Sequence, residues 1–238
     1  MILLALDTCD SRGSLAVLRD EEVLTLVAHE GATEYSSWIL PTAEAALRSS
    51  RLGIEEVEVF AVASGPGSFT GVRIGLTTVK AWSEAFGKRI ASVSRLEAIA
   101  LQARPDAEYI AAFADAHRDQ VFGGLYQRGG TELRLVEHEM VIKPAEFIEW
   151  VNERSSNRRV SWISADPEKV TTLESWQSRA KVDQRMEVST TVLAPMIGKI
   201  GFQRAREGRL LDALALDADY VRRPDAETFW KGATGSGR

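Results

Sequence analysis

Ile2-Leu3-Leu4-Ala5-Leu6-Asp7-Thr8-Cys9-Asp10-Ser11-Arg12-Gly13-Ser14-Leu15-Ala16-Val17-Leu18 opens the chain and sets its pattern. An apolar run stops at a carboxylate, a polar cluster from Cys9 to Gly13 turns the chain, and apolar residues resume from Ser14 to Leu18. That reads as two antiparallel strands, and Val23 to His29 adds a third to make a meander. The same order returns at Tyr109-Ile110-Ala111-Ala112-Phe113-Ala114-Asp115, with a turn from Ala116 to Asp119 and a strand from Gln120 to Tyr126. A Gly129-Gly130 turn and a strand from Glu132 to Val141 complete it. Asp7 and Asp115 end equivalent strands a domain length apart, so the pattern is a duplicated fold rather than a solenoid of short repeats.

Working outward, Thr33 is the expected N-cap of a helix to Ser49, with Tyr35, Trp38, Ile39, Ala43, Ala46 and Leu47 at three- and four-residue steps. Pro41 is expected to kink or restart it. Glu58 to Ser64 reads as a strand, followed by Gly65-Pro66-Gly67-Ser68-Phe69-Thr70-Gly71 and a helix from Val72 to Phe86 that stops at Gly87. A strand from Arg89 to Val93 and a short helix from Arg95 to Arg104 precede Pro105, which marks the expected boundary. The first domain, 1–104, is therefore βββαβαβα, and the fold class is α/β with mixed sheets flanked by helices. In the second domain, 105–238, a helix from Pro144 to Glu153, a strand from Arg159 to Ile163 and a helix from Thr190 to Glu207 are expected. Thr190 or Thr191 would cap the last helix, which with the tail is expected to pack back on the first domain. Asp166 to Met186 yields no assignment.

Composition narrows the function. Lysine and arginine total 29 against 34 aspartate and glutamate in 238 residues, a net charge of −5. That excludes a protein that binds nucleic acid chiefly by neutralising phosphates. One cysteine, Cys9, cannot form an internal disulfide, and no cysteine–histidine cluster has zinc spacing. No apolar stretch approaches the roughly 18 residues of a membrane span, and no leader peptide is read at the start. A cytoplasmic protein is the expectation.

The chemistry-bearing residues each have two readings. Asp7 at a strand end could face a cleft and hold magnesium through water, or it could cap the following turn. An ATPase of this topology would place glycine two residues later, where Cys9 stands. The glycine-rich block lets backbone amides point at an anion, or lets two segments pack without side chains between them. It is not a P-loop, since no Gly-Lys-Ser/Thr ends it and Arg73 already lies inside the helix. His29, His117 and His138 are too scattered for a metalloprotease, while Asp115, His117 and Asp119 are close enough to hold a cation but read better as a solvated turn joining two strands. No serine stands in a nucleophile elbow and Cys9 has no base beside it, so neither covalent catalysis nor a peptidase finds support. The helix from Val72 is apolar on two faces: Val72, Leu76, Val79 and Phe86 on one, Ile74, Ala81, Trp82 and Ala85 on the other. Gly71 and Gly75, four apart, permit close approach of another helix, and Trp38 and Trp82 are residue types of interface cores. The alternative is that both helices are sandwiched within the chain.

Leu4-Ala5-Leu6-Asp7-Thr8, Glu34 to Pro41, and above all Gly65-Pro66-Gly67-Ser68-Phe69-Thr70-Gly71-Val72-Arg73-Ile74-Gly75 resemble the TsaB family, also called YeaZ. Asp115 to Phe122 and the tail Tyr220-Val221-Arg222-Arg223-Pro224 extend the resemblance over nearly the whole chain. The resemblance implies a two-domain actin-like (ribonuclease H-like) fold. It also implies a non-catalytic cytoplasmic subunit of the bacterial machinery that places threonylcarbamoyl on the adenosine beside the tRNA anticodon. Implied partners are a TsaD-like catalytic paralogue, a TsaE-like ATPase and a second copy of the chain, with tRNA met only through the complex and no membrane. Tyr35 departs from the histidine many such chains retain, in keeping with loss of a metal site. No cofactor is required on this reading, although weak ATP or ADP with magnesium at a subunit junction is allowed. Tyr35, Trp38, Ile39, Gly71, Ile74, Gly75 and Trp82 are the expected interface, and Trp82→Glu is expected to abolish partner binding while leaving the fold cooperative. Gly65, Pro66, Gly67, Ser68, Phe69, Thr70 and Arg73 form the glycine-rich loop, and Asp7, Thr8 and Asp115 the vestigial nucleotide site. The rival from another class is an ATP-dependent phosphotransferase or ATPase working around Asp7 and Asp115.

Overall fold

A computed structural model describes residues 1–218 apart from 30, 32, 131, 157 and 179–183. The Tyr220 to Pro224 tail, with Arg222 and Arg223, lies outside the described residues. The first sheet is built from β1 (Ile2–Asp7), β2 (Ser14–Arg19), β3 (Glu22–Ala28), β4 (Val59–Ala63) and β5 (Arg89–Val93), in the order β3-β2-β1-β4-β5. β1 runs antiparallel to β2 and parallel to β4, with Asp7 opposite Ser14 and Leu6 beside Val62. The second sheet contains β6 (Tyr109–Asp115), β7 (Val121–Gly129), β8 (Glu132–Leu135), β9 (Met140–Ile142), β10 (Val160–Ser164) and β11 (Arg185–Val188). Its order is β11-β10-β6-β7-β8, with β9 also on β7, so it repeats the first sheet strand for strand.

The helices are α1 (Tyr35–Ser49), α2 (Phe69–Phe86), α3 (Arg95–Ala100), α4 (Pro144–Arg154), α5 (Glu168–Thr171), α6 (Glu174–Gln177) and α7 (Ala194–Arg206). Where the first half places the 18-residue α2, the second has only the short α5 and α6. That is why the stretch from Asp166 carries no helical period to read.

β4 is buried at every position because both faces of its sheet are covered. Adjacent residues on a strand point to opposite faces. Phe60 meets the Trp82 ring of α2 at 5.5 Å, while on the other side a side chain at Gly201 of α7 would press on Ala61 and Ala91. α7, from the C-terminal half of the sequence, therefore roofs the first sheet.

Several element ends differ from the expectation. α1 starts at Tyr35 behind Glu34 rather than after a Thr33 cap, and continues through Pro41 to Ser49. α2 starts three residues before Val72, because the Ser68 hydroxyl accepts from the Gly71 amide. It ends at Gly87 in the left-handed conformation, which glycine adopts without strain. α3 stops at Ala100, short of Arg104. The single strand expected over Glu132 to Val141 is two, because the chain bends between them and Glu139 turns inward to accept from the Ser94 and Tyr126 hydroxyls. α7 starts at Ala194, not Thr190: the Thr190 hydroxyl is used by the Val192 amide (3.1 Å). The Ala194 amide donates instead to the Ser14 hydroxyl of β2 (3.0 Å).

Candidate functional site

Asp7 ends β1 with 0% of its surface exposed, and its Oδ1 accepts from the Cys9 amide at 2.9 Å. The turn-capping reading is thus the one the geometry satisfies. The Arg95 side chain, only 6% exposed, brings Nε to 3.9 Å from Asp7 Oδ2 and Nη2 to 2.9 Å from Asp10 Oδ2. Arg12 Nη2 lies 3.0 Å from the same Asp10 oxygen and 3.3 Å from Asp166 Oδ1, on the loop after β10. A chain of alternating charge, Asp7–Arg95–Asp10–Arg12–Asp166, therefore runs from beneath the first sheet's strand ends to the second sheet's.

Burial pushes the Asp7 carboxyl above its ordinary range, with the Arg95 charge pulling the other way. Burial acts upward on Asp10 too, but there the Arg95 and Arg12 guanidiniums prevail and hold it well below the usual carboxylate range. Burial drives the Cys9 thiol well up, away from the thiolate a nucleophile needs. Asp115 belongs to the other sheet and is held by Lys169 at 2.9 Å and by the His117 amide at 2.8 Å. Asp7 and Asp115 thus each find partners in their own half. Among the described residues no group of three or more His, Cys, Asp or Glu is placed to hold a metal.

The glycine-rich block meets the end of β1. The Ser68 amide donates to the Cys9 carbonyl at 2.7 Å, and the Thr8 hydroxyl to the Gly71 carbonyl at 2.7 Å. A methyl group at Gly67 would overlap the Cys9 carbonyl, at Gly71 the Thr8 carbonyl, and at Gly75 the Thr8 hydroxyl. Gly71 and Gly75 therefore admit the chain's own Thr8, and Gly67 its Cys9. Gly65 and Pro66 are buried, joined by a cis bond, and the Gly65 carbonyl accepts from the Arg95 amide at 2.7 Å.

The remaining interface residues divide. Ile39 is buried under α1, and Trp82, 7% exposed, packs on Phe60, so neither is an outward anchor. The sandwiched reading holds for them, and Trp82→Glu would place a carboxylate in the core. Tyr35, Trp38 and Ile74 are half-buried. Tyr35 donates to the Asp10 carbonyl and lies 4.4 Å from the His29 ring, with Trp38 edge-on at 5.1 Å from the same ring. What the helices turn outward is Leu40 on α1, 59% exposed, and Phe69 at the start of α2, 41% exposed under the Arg73 guanidinium at 3.8 Å. Thr70, Ala81 and Ala85 of α2 are exposed as well. In the sequence Phe69 stands out only as a loop residue, Arg73 only as the basic residue just inside the helix after it, and Leu40 only within the Glu34 to Pro41 stretch. The signal for Leu40 is its phase, an apolar residue off the Ile39, Ala43, Ala46, Leu47 stripe. Sequence reasoning misses the pairing of Asp10, Arg12, Arg95 and Asp166 entirely, since it spans 85 and 154 positions.

Elsewhere, a cavity of about 830 Å³ lies between α3, β8 and α7, with Glu97, Tyr126, Arg134, Glu139 and Arg204 in its wall. No helix among the described residues is long and apolar enough to cross a membrane.

A family model described as TsaD, tRNA N6-adenosine threonylcarbamoyltransferase, matches residues 26–179. A Bacillus subtilis protein named tRNA threonylcarbamoyladenosine biosynthesis protein TsaB is 28% identical over 97% of this chain and 98% of its own length. A crystal structure from Pseudomonas aeruginosa, described as similar to peptidase YeaZ, superposes with a TM-score of 0.69 at 26% identity, covering 93% of this chain and 99% of that one. A ROK hexokinase from Thermus thermophilus superposes with a TM-score of 0.56 at 11% identity over 87% of this chain and all of its own, a likeness of fold alone.

Proposed function

Because the chain belongs to the TsaB (YeaZ) family, we propose that it is a non-catalytic scaffold subunit in the synthesis of threonylcarbamoyladenosine in tRNA. Its partner on this reading is a TsaD-like catalytic subunit, received on the outer surface of α1 and α2. The same surface would serve a second copy of the chain, and a TsaE-like ATPase would join the assembly. The observation that carries the reading is the outward placement of Leu40 and Phe69 on two helices whose other faces are already sealed against the first sheet. Exposed aromatic and aliphatic side chains backed by a rigid layer are the kind that become anchors on binding, each contributing on the order of 2 kcal/mol or more. Arg73 stacked on Phe69 adds a charged group beside the apolar one, as interface cores favour.

The rival, phosphotransfer around Asp7 and Asp115, is opposed by the burial of Asp7 and by the separate partners of the two aspartates. Tagged protein is expected to recover its host's TsaD-like protein from lysate, and Leu40→Asp combined with Phe69→Asp to lose it while keeping a cooperative thermal transition. Equal recovery by the double variant removes the proposed surface.

A further inference from the structure

The fold shared with sugar kinases implies magnesium and nucleotide at the strand ends, and the residues present here do not fit them. The glycines that would leave room for phosphate are closed by Thr8 and Cys9, and a guanidinium stands against the carboxylates. We propose that Arg95 is the chain's own counter-cation for Asp7 and Asp10, standing where a divalent cation would be held, and that removing its charge opens a site for a hard divalent cation.

Three observations carry this. Asp7 and Arg95 are both buried, so their charges must be answered within the protein. Asp7 Oδ2 and Arg95 Nε are buried and have no hydrogen-bond partner among the described residues, although they lie 3.9 Å apart. Arg95 thus neutralises Asp7 by charge rather than through the paired hydrogen bonds a guanidinium makes when it is matched to a carboxylate. Finally, one guanidinium serves both Asp7 and Asp10, so its loss leaves two carboxylates with Arg12 as the remaining cation named at the cluster. Two carboxylates supply the hard oxygen donors that magnesium and manganese take, the rest of their coordination being water. This inference is independent of the scaffold reading, since it concerns the inner side of the fold and not α1 or α2's outer surface.

The test uses the full-length protein, with manganese as the probe because its binding is read directly by electron paramagnetic resonance. Wild type is expected to bind no manganese and to melt at the same temperature with or without it. Arg95→Gln and Arg95→Ala are expected to melt lower, to bind one manganese saturably, and to regain at least ~3 °C on saturation. Adding Asp7→Asn is expected to abolish both effects, and Arg95→Lys, which keeps the charge, to stay silent. Should the alanine variant not fold, the glutamine variant, closer in volume, decides the matter. A glutamine variant silent to manganese overturns the proposal, as does manganese binding of equal strength by wild type or persistence of binding after Asp7→Asn.

Discussion

Asp10 shows how one side chain ties the chemistry of the strand ends to stability. Its carboxyl is held below its unfolded value of about 3.9 by two guanidiniums, so the stabilisation it provides is complete above about pH 4 and is lost as pH falls further. Asp7 and Glu97, both pushed up by burial against the pull of their arginine partners, act with the opposite sign: their share is present at low pH and is lost as pH rises through their raised values. Asp10→Asn is therefore expected to be less stable than wild type at neutral pH and to converge on it in acid. Urea titrations from about pH 3 to 7 measure the difference, and a gap that widens on acidification would contradict the assignment. Little of this was legible in the sequence. Asp7 could be placed at a strand end, because an apolar run that stops at a carboxylate marks where a buried strand meets its turn. That Arg95 would be its partner could not, because the pairing depends on how β1 and the start of α3 meet in space. The glycine block stood out for the same local reason, and its partner, the Thr8–Cys9 turn, stayed hidden for the same long-range one.

Helix α2 carries the corresponding lesson for elements. Its apolar residues cover two faces, and periodicity cannot say which of them the sheet takes. The structure gives Val72, Leu76, Val79 and Trp82 to the core and leaves Ala81 and Ala85 outside. Trp82→Ala is accordingly expected to cost about 3–5 kcal/mol by emptying the space beside Phe60, and Trp82→Glu to cost at least as much. Chemical denaturation measures both, and a Trp82→Glu protein of near-native stability would return that residue to the surface. Boundaries are legible where the stop is local, as at Gly87. They are poorly legible where the cap is remote: α7 begins where Ser14 of β2 can receive its first amide, a contact 180 positions away.

The duplication itself was legible, because the same local rhythm of apolar runs and turns occurs twice along the sequence. The last helix, expected from the sequence to pack back on the first domain, is α7, which closes the first sheet with Gly198 against Leu18 and Gly201 against Ala61 and Ala91. Residues 1–104 alone are therefore expected to expose that sheet face, to bind a hydrophobic dye and to melt without cooperativity. Joining them to residues 190–218 through a flexible linker should reverse all three. A sharp melting transition from the 1–104 fragment by itself would show that the roof is dispensable. The roof also bears on how the protein is made. A chain leaving the ribosome from its N-terminus has β1 through β5 in hand well before Arg206 appears, yet the sheet they form stays open on one side until then. Synthesis thus holds a nearly finished layer waiting on its last piece, and the wait, during which chaperones can reach the bare strands, lasts as long as it takes to translate the entire second sheet.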